Sequence, residues 1–294
     1  MSQTARVAAI EALIHVDVGR NIGKLCAAAR GGLLGAATAL AEASGVGVIT
    51  GFYVPRGTPP AAETDGPIGA ALLLHGLAAV GIAGRLATDA PCAPACAAAL
   101  RGAGLATPLD IAALDAPLDP LIATWRAAGV SHALSIERCG KAINGRPHNL
   151  VGLDIGAHTA PLDDLFLAGP WETIGIGDGG NEMGMGALPR SLIAADIANG
   201  EAIACVTPAR HLIVAGVSNW GAYALLAALA VLRPDWRTRL LASLDPALDQ
   251  AILEATVQDG PAVDGISRQQ TLTVDNHDPA FHHAKLAAIR AAVG

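Results

Sequence analysis

The sequence predicts an α/β protein of three layers, α/β/α and Rossmann-like, built on a mostly parallel sheet. Three observations carry that expectation. Short apolar or β-branched runs alternate with Ala-rich stretches of helical length, the order that yields parallel strands joined by crossover helices. The strand candidates are almost continuously apolar, as strands covered on both faces must be. Hydrophobic residues make up 52% of the 294 and charged residues only 15%, enough for a large buried core.

Taken in order, VGVITGFYV (46–54) reads as a buried first strand and GPIGAALLLHGLAAVG (66–81) as the helix that follows it. RLATD (85–89) makes a second strand, PACAAALRGAG a helix, ATPLDIAA a third strand and PLIATWRAAG its helix. HALSIE (132–137), ETIGIG (172–177) and HLIVAG (211–216) supply three more strands, and the late GISRQQTLTVD adds another. No Ser/Gly/Pro-rich linker, charge block or internal repeat divides the chain, so one domain over 1–294 is the expected organisation.

Composition also excludes partners. A formal charge of -7 with no Lys/Arg cluster argues against nucleic acid, which demands neutralised phosphates. A small-molecule ligand fits better. The longest apolar run, HLIVAGVSNWGAYALLAALAVL (211–232), is broken by His211, Ser218 and Asn219, and reads as strand, turn and core helix in place of a membrane span. The first residues lack the basic and apolar regions of a secretion signal, so a cytoplasmic protein is expected. Five cysteines leave at least one unpaired, and Cys92 and Cys96, four apart, read as one helix face with no further zinc ligands at a matching spacing. Ala-rich faces and few surface charges are compatible with a homo-oligomer.

In open parallel sheets ligands bind beyond the carboxyl ends of the strands, so the chemistry is expected in the loops there. The stretch TIGIGDGGNEMGMG (173–186) places Gly175, Gly177 and Gly180 at the spacing of a dinucleotide fingerprint. Against that reading, Asp178 and Glu182 would repel a pyrophosphate, and Gly184, Gly186 and Pro189 oppose the helix that should follow. Two further readings stand beside it: the glycines permit tight turns that present Asp178, Asn181 and Glu182 to a polar site, or those side chains bond their own backbone. A second loop, TGFYVPRGTPPAAETDGPIGA (50–70), is stiffened by prolines and sets Glu63 and Asp65 at a helix start, where Thr64 or Asp65 would serve as N-cap. A third, SIERCGKAINGRPHNLVGLDI (135–155), gathers Glu137, Arg138, Lys141, Asn144, Arg146, His148, Asn149 and Asp154, unusually polar for this chain and suited to a small charged ligand. His148 reads as a surface residue, and Cys139 is a nucleophile only in a setting that lowers its pKa.

Together TGF-VP with ETDGPIGA, SIERCG and GIGDGGNEMGMG resemble the D-glutamate cyclase family, the carboxy-terminal cyclase domain of the mitochondrial enzyme and its stand-alone bacterial relatives. The likeness runs from HVDVGR (15–20) to VAGVSNWGAYAL (214–225). It implies a hydro-lyase reaction, cyclisation of D-glutamate to 5-oxo-D-proline with loss of water. The insertion-like RGTPPAA and the stretch KAINGRPHN depart from the family pattern and bear on substrate choice.

That reaction needs a base for the α-amine, an acid for the departing oxygen and a cation for the α-carboxylate. Glu63, Asp65, Glu137, Asp178 and Glu182 are the acid/base candidates, one carboxyl being kept protonated by an ionised neighbour. Arg138, or else Arg20, would grip the α-carboxylate bidentately, with Gly177, Gly179, Gly180, Asn181 and Asn219 completing the substrate contacts. Alternatively Asp178 and Glu182, with Glu63, hold Mg²⁺ or Mn²⁺, hard ions that polarise the γ-carboxylate.

Overall fold

In the computed structural model, which describes all 294 residues, six strands form one wholly parallel sheet. They are β1 (Gly45–Thr50), β2 (Ala83–Asp89), β3 (Leu109–Ala112), β4 (His132–Ile136), β5 (Glu172–Gly177) and β6 (His211–Val214), in the order β3-β2-β1-β4-β5-β6. The chain winds outward one way from β1, then returns to β4 beside it and winds the other way. Such a reversal opens a crevice above the carboxyl ends of the two central strands.

The central strands are buried along almost their whole length, as a sheet covered on both faces requires, and successive side chains face opposite layers. Val46, Val48, Leu134, Ile136, Ile174 and Ile176 face the largest core cluster, whereas Ile49, Ala87 and Ala133 face a smaller one around Trp125, Phe166 and Trp171. The thick side is built from α1 (Gln3–Ile14), α2 (Gly32–Leu40), α3 (Pro67–Ala79), α4 (Ala93–Gly102), α6 (Ser218–Leu232), α7 (Pro246–Gln258) and α8 (Pro279–Ala291). On the opposite face lies α5 (Asp119–Ala127), whose Trp125 is fully buried. Helix α6 is buried from Ser218 to Val231, which accounts for its apolar character all round. No helix is long and apolar enough to cross a membrane.

Two expectations need correction. The first strand stops at Thr50, not Val54: Gly51 turns the chain at φ +102°, and Tyr53–Val54 pairs with Ala61–Ala62 in a separate two-residue ladder. The segment 265–275 forms no strand. It is an irregular strap held by isolated bridges and by Asp264, whose carboxylate accepts from the N–H groups of Ile266, Ser267 and Asn276. Its sequence carries β-branched residues, but its pairing with the neighbouring loop goes no further than the single bridge Thr58–Gln269. Cys92 and Cys96 are both buried, unpaired and, for Cys96, on α4.

Candidate active site

The side chains that meet above the sheet come from six places in the chain. Glu63 and Asp65 lie in the connection from β1 to α3, Glu137 directly follows β4, Asp178 directly follows β5, and Ser218 and Asn219 open α6 after β6. Arg20 arrives from the N-terminal segment, where Asp17 folds the chain by accepting from the N–H groups of Gly19, Arg20 and Asn21. Asp275 arrives from the C-terminal strap.

Two helices point their N-termini at this place and cap each other. Asp65 accepts from the N–H groups of Ser218 (2.9 Å) and Asn219 (2.8 Å) at the start of α6. The amide oxygen of Asn219 accepts in return from Gly66 (2.9 Å) and Gly69 (2.7 Å) at the start of α3. Asp65 takes its neighbour Gly66 N–H as well (3.0 Å), yet it mainly caps the distant helix, not the one it precedes as expected. Gly66 makes this approach feasible: its φ is +95°, and a Cβ there would come within 2.6 Å of Thr50 Oγ1 and 2.9 Å of Glu137 Cβ.

Asp65, Glu137 and Asp178 each bring a carboxylate oxygen within 4.8 Å of the other two, all three buried. Glu63 and Asp275 stand close by, so five buried carboxyl groups surround one guanidinium. Arg20 Nη2 lies 2.7 Å from Asp275, and its Nη1 lies 3.1 Å from Asp178 without hydrogen-bond geometry. Charge of one sign packed this densely resists full ionisation. Burial, then Asp275, pushes the Asp65 carboxyl up to about 7. Burial first, with Glu182 and Glu63 next, holds Glu137 well above the usual carboxylate range, and burial followed by Asp275 does the same for Glu63. Asp178 is also raised, by burial and by Glu137, against the opposing pull of Arg20. Glu137 accepts from the Ser218 hydroxyl (2.6 Å).

A cavity of about 210 Å³ opens onto this cluster. Its inner end presents Glu63, Glu137, Arg20 and Asn181, and its outer wall is Phe52, Tyr53, Val54, Leu150, Val151 and Ile266. Arg56 and Arg268 stand on that lining, and neither guanidinium pairs with a carboxylate.

The structure separates several residues that the sequence suggested would act together. Arg138 turns away from Glu137, to the other side of the strand end. Its guanidinium is 1% exposed and is consumed by Asp89 (2.7 Å) and the carbonyls of Gly51 and Ala160, so it is not placed to grip a substrate. Glu182 bends back over its own loop, accepting from the N–H groups of Asp178 (3.3 Å), Gly179 (2.6 Å) and Gly180 (2.8 Å). The glycine loop is therefore an anion cradle filled by its own carboxylate. This removes the N–H groups that a pyrophosphate would need, and no helix follows until Arg190, against the dinucleotide reading. It also turns Glu182 away from Asp178, whose carboxylate is approached by those of Asp65 and Glu137 instead. Gly177, Gly179 and Gly180 shape the loop behind the cavity, and Gly180 turns it at φ +90°. Cys139 is buried and its thiol is pushed up by burial, unlike a reactive thiolate. His148 is buried, not a surface residue, and its carbonyl accepts from Asn181. Sequence reasoning missed Ser218, Asp275, Arg56 and Arg268. The departure RGTPPAA begins with Arg56 and was the only signal pointing to it.

A family model described as D-glutamate cyclase-like, C-terminal, matches residues 10–290. The mitochondrial D-glutamate cyclase of Homo sapiens is 33% identical over 255 residues, covering 79% of this chain and 40% of that protein. The chain thus spans well under two thirds of the length of this curated relative.

Proposed function

The chain belongs to the D-glutamate cyclase-like family, and from that premise we propose that it cyclises D-glutamate to 5-oxo-D-proline with loss of water. The observation that carries the reading is the convergence of Asp65, Glu137 and Asp178, beneath a cavity that Glu63 and Glu137 face directly. Carboxyls that cannot all ionise include both proton donors and proton acceptors at neutral pH, which the reaction requires of one site. Glu63 and Glu137 act on the reacting end: one ionised carboxylate takes the amine proton and one protonated carboxyl delivers a proton to the departing oxygen. Arg20 holds Asp178 and Asp275 in place and balances part of their charge. Arg56 and Arg268, unpaired at the rim, hold the α-carboxylate. Confinement of the curled substrate supplies further acceleration, since oriented intramolecular reactions reach effective molarities of about 10⁵–10⁸ M.

A second reading is favoured by the same three oxygens, which form a donor set suited to Mg²⁺ or Mn²⁺. Asp65, Glu137 and Asp178 would hold the ion, and it would polarise the γ-carboxyl oxygen. Proton NMR of the protein with D-glutamate and with L-glutamate, each with and without Mg²⁺ or Mn²⁺, tests both. Metal-independent 5-oxoproline from the D isomer supports the proton-sharing site, and metal-dependent product supports the cation. Binding of D-glutamate without product under any condition would make the protein an amino-acid sensor.

A further inference from the structure

Two features of the cavity exceed what D-glutamate needs. Its outer wall is apolar, with Val151 55% and Ile266 49% exposed at the mouth, while glutamate has no apolar group beyond its γ-carboxyl to set against it. Tyr53 is stacked on His158 at 4.8 Å, so this wall is braced. The rim also carries two unpaired arginines, Arg56 and Arg268, where a glutamate whose γ-carboxyl reaches the floor has a single carboxylate left to offer. The floor itself is crowded with Glu63, Glu137, Asp65 and Asp178 against one arginine, a poor place to bring another ionised carboxylate. A substrate that is neutral at its γ carbon, bears an apolar group beyond it and ends in a second carboxylate answers all three features.

We infer that the site also acts on γ-D-glutamyl dipeptides with an apolar second residue, releasing that amino acid in place of water. The inference rests on the proposed reading of this site. In the step, the α-amine nitrogen bonds to the γ carbon and the γ C–N bond breaks. One amine proton passes to an ionised carboxylate, and a protonated carboxyl gives its proton to the departing nitrogen. The products are 5-oxo-D-proline and a free amino acid, with no change of oxidation state. The apolar side chain lies along Val54, Leu150, Val151 and Ile266. Arg56 and Arg268 divide the two carboxylates between them.

The test incubates the full chain with γ-D-glutamyl-L-leucine and, separately, with D-glutamate, following 5-oxoproline and leucine by proton NMR against protein-free controls. Burying one leucine side chain supports a kcat/KM for the dipeptide at least about tenfold above that for D-glutamate. Val151→Asp, at the exposed mouth, should raise KM for the dipeptide more than for D-glutamate. Turnover of D-glutamate with no leucine released overturns this inference and leaves the cyclase reading standing. Leucine and 5-oxoproline without turnover of D-glutamate uphold the inference and remove dehydration of the free acid. Leucine released together with free glutamate is hydrolysis and overturns the inference, and absence of product from either substrate overturns both.

Discussion

Glu137 sits at φ +45°, a left-handed conformation that costs a residue bearing a Cβ about 1–2 kcal/mol. Its return is positional: the turn after Ile136 sends Glu137 into the cavity and Arg138 to the opposite side, onto Asp89. Glu137 is also pressed by Glu182, Glu63 and Asp65, so its charge opposes folding. Glu137→Gln should therefore abolish turnover while raising Tm at pH 8 by a few degrees, about 2–4 °C for each kcal/mol recovered, as differential scanning calorimetry would read. A lowered Tm would mean that its charge is compensated in the native protein. Arg268 is the converse case, a cation without a partner. Arg268→Ala should leave Tm within about 1 °C and raise KM for D-glutamate about tenfold, the loss of one charge-assisted hydrogen bond; an unchanged KM in steady-state assays would remove it from the rim's carboxylate contacts.

Between elements, the reciprocal caps join α3 and α6 at their N-termini. Asn219→Ala strands the N–H group of Gly69 in a buried place and leaves that of Gly66 only Asp65 as acceptor, and denaturant titration should show a loss of about 1–3 kcal/mol. A loss below about 0.5 kcal/mol would show that other groups satisfy α3. Helices α7 and α8 are tied by His283, whose Nε2 lies 3.4 Å from Asp249. The Asp249 carboxylate raises the His283 pKa above its ordinary value. A raised pKa stabilises the fold fully below the unfolded value of about 6.5, and that contribution fades as pH climbs through the folded value. The Tm difference between wild type and His283→Gln should accordingly be largest near pH 5.5 and vanish near pH 8.5. The elements themselves were largely legible, because buried parallel strands and Ala-rich helices carry their own periodicity. Their ends were less so: β1 stops four residues early at Gly51, where pairing with the short Ala61–Ala62 ladder outweighs the apolar run.

Across the whole molecule, the chain's two ends meet at the site, Arg20 from one and Asp275 from the other. The strap bearing Asp275 is anchored by α8, where His282 Nε2 donates to the Val274 carbonyl at 3.0 Å while its Nδ1 accepts from Trp220. Deleting 279–294 would also remove Leu286, Ile289 and Val293 from the core, each fully buried and contributing about 1.5–3 kcal/mol. The shortened chain should lose its cooperative thermal transition by circular dichroism, and a folded, active product would show the C-terminal segment to be dispensable. The sequence by itself determined the α/β class, the parallel sheet, the family likeness and the loops that carry the carboxylates, because periodicity, glycine turns and long motifs are local properties of the chain. Only the tertiary structure decided which of those carboxylates meet. Glu182 is taken by the N–H groups of its own loop, Arg138 by Asp89, and Asp65 by a helix that begins 153 residues away. Such choices depend on which donors are nearest once the strands align, and that distance is written nowhere in the local pattern.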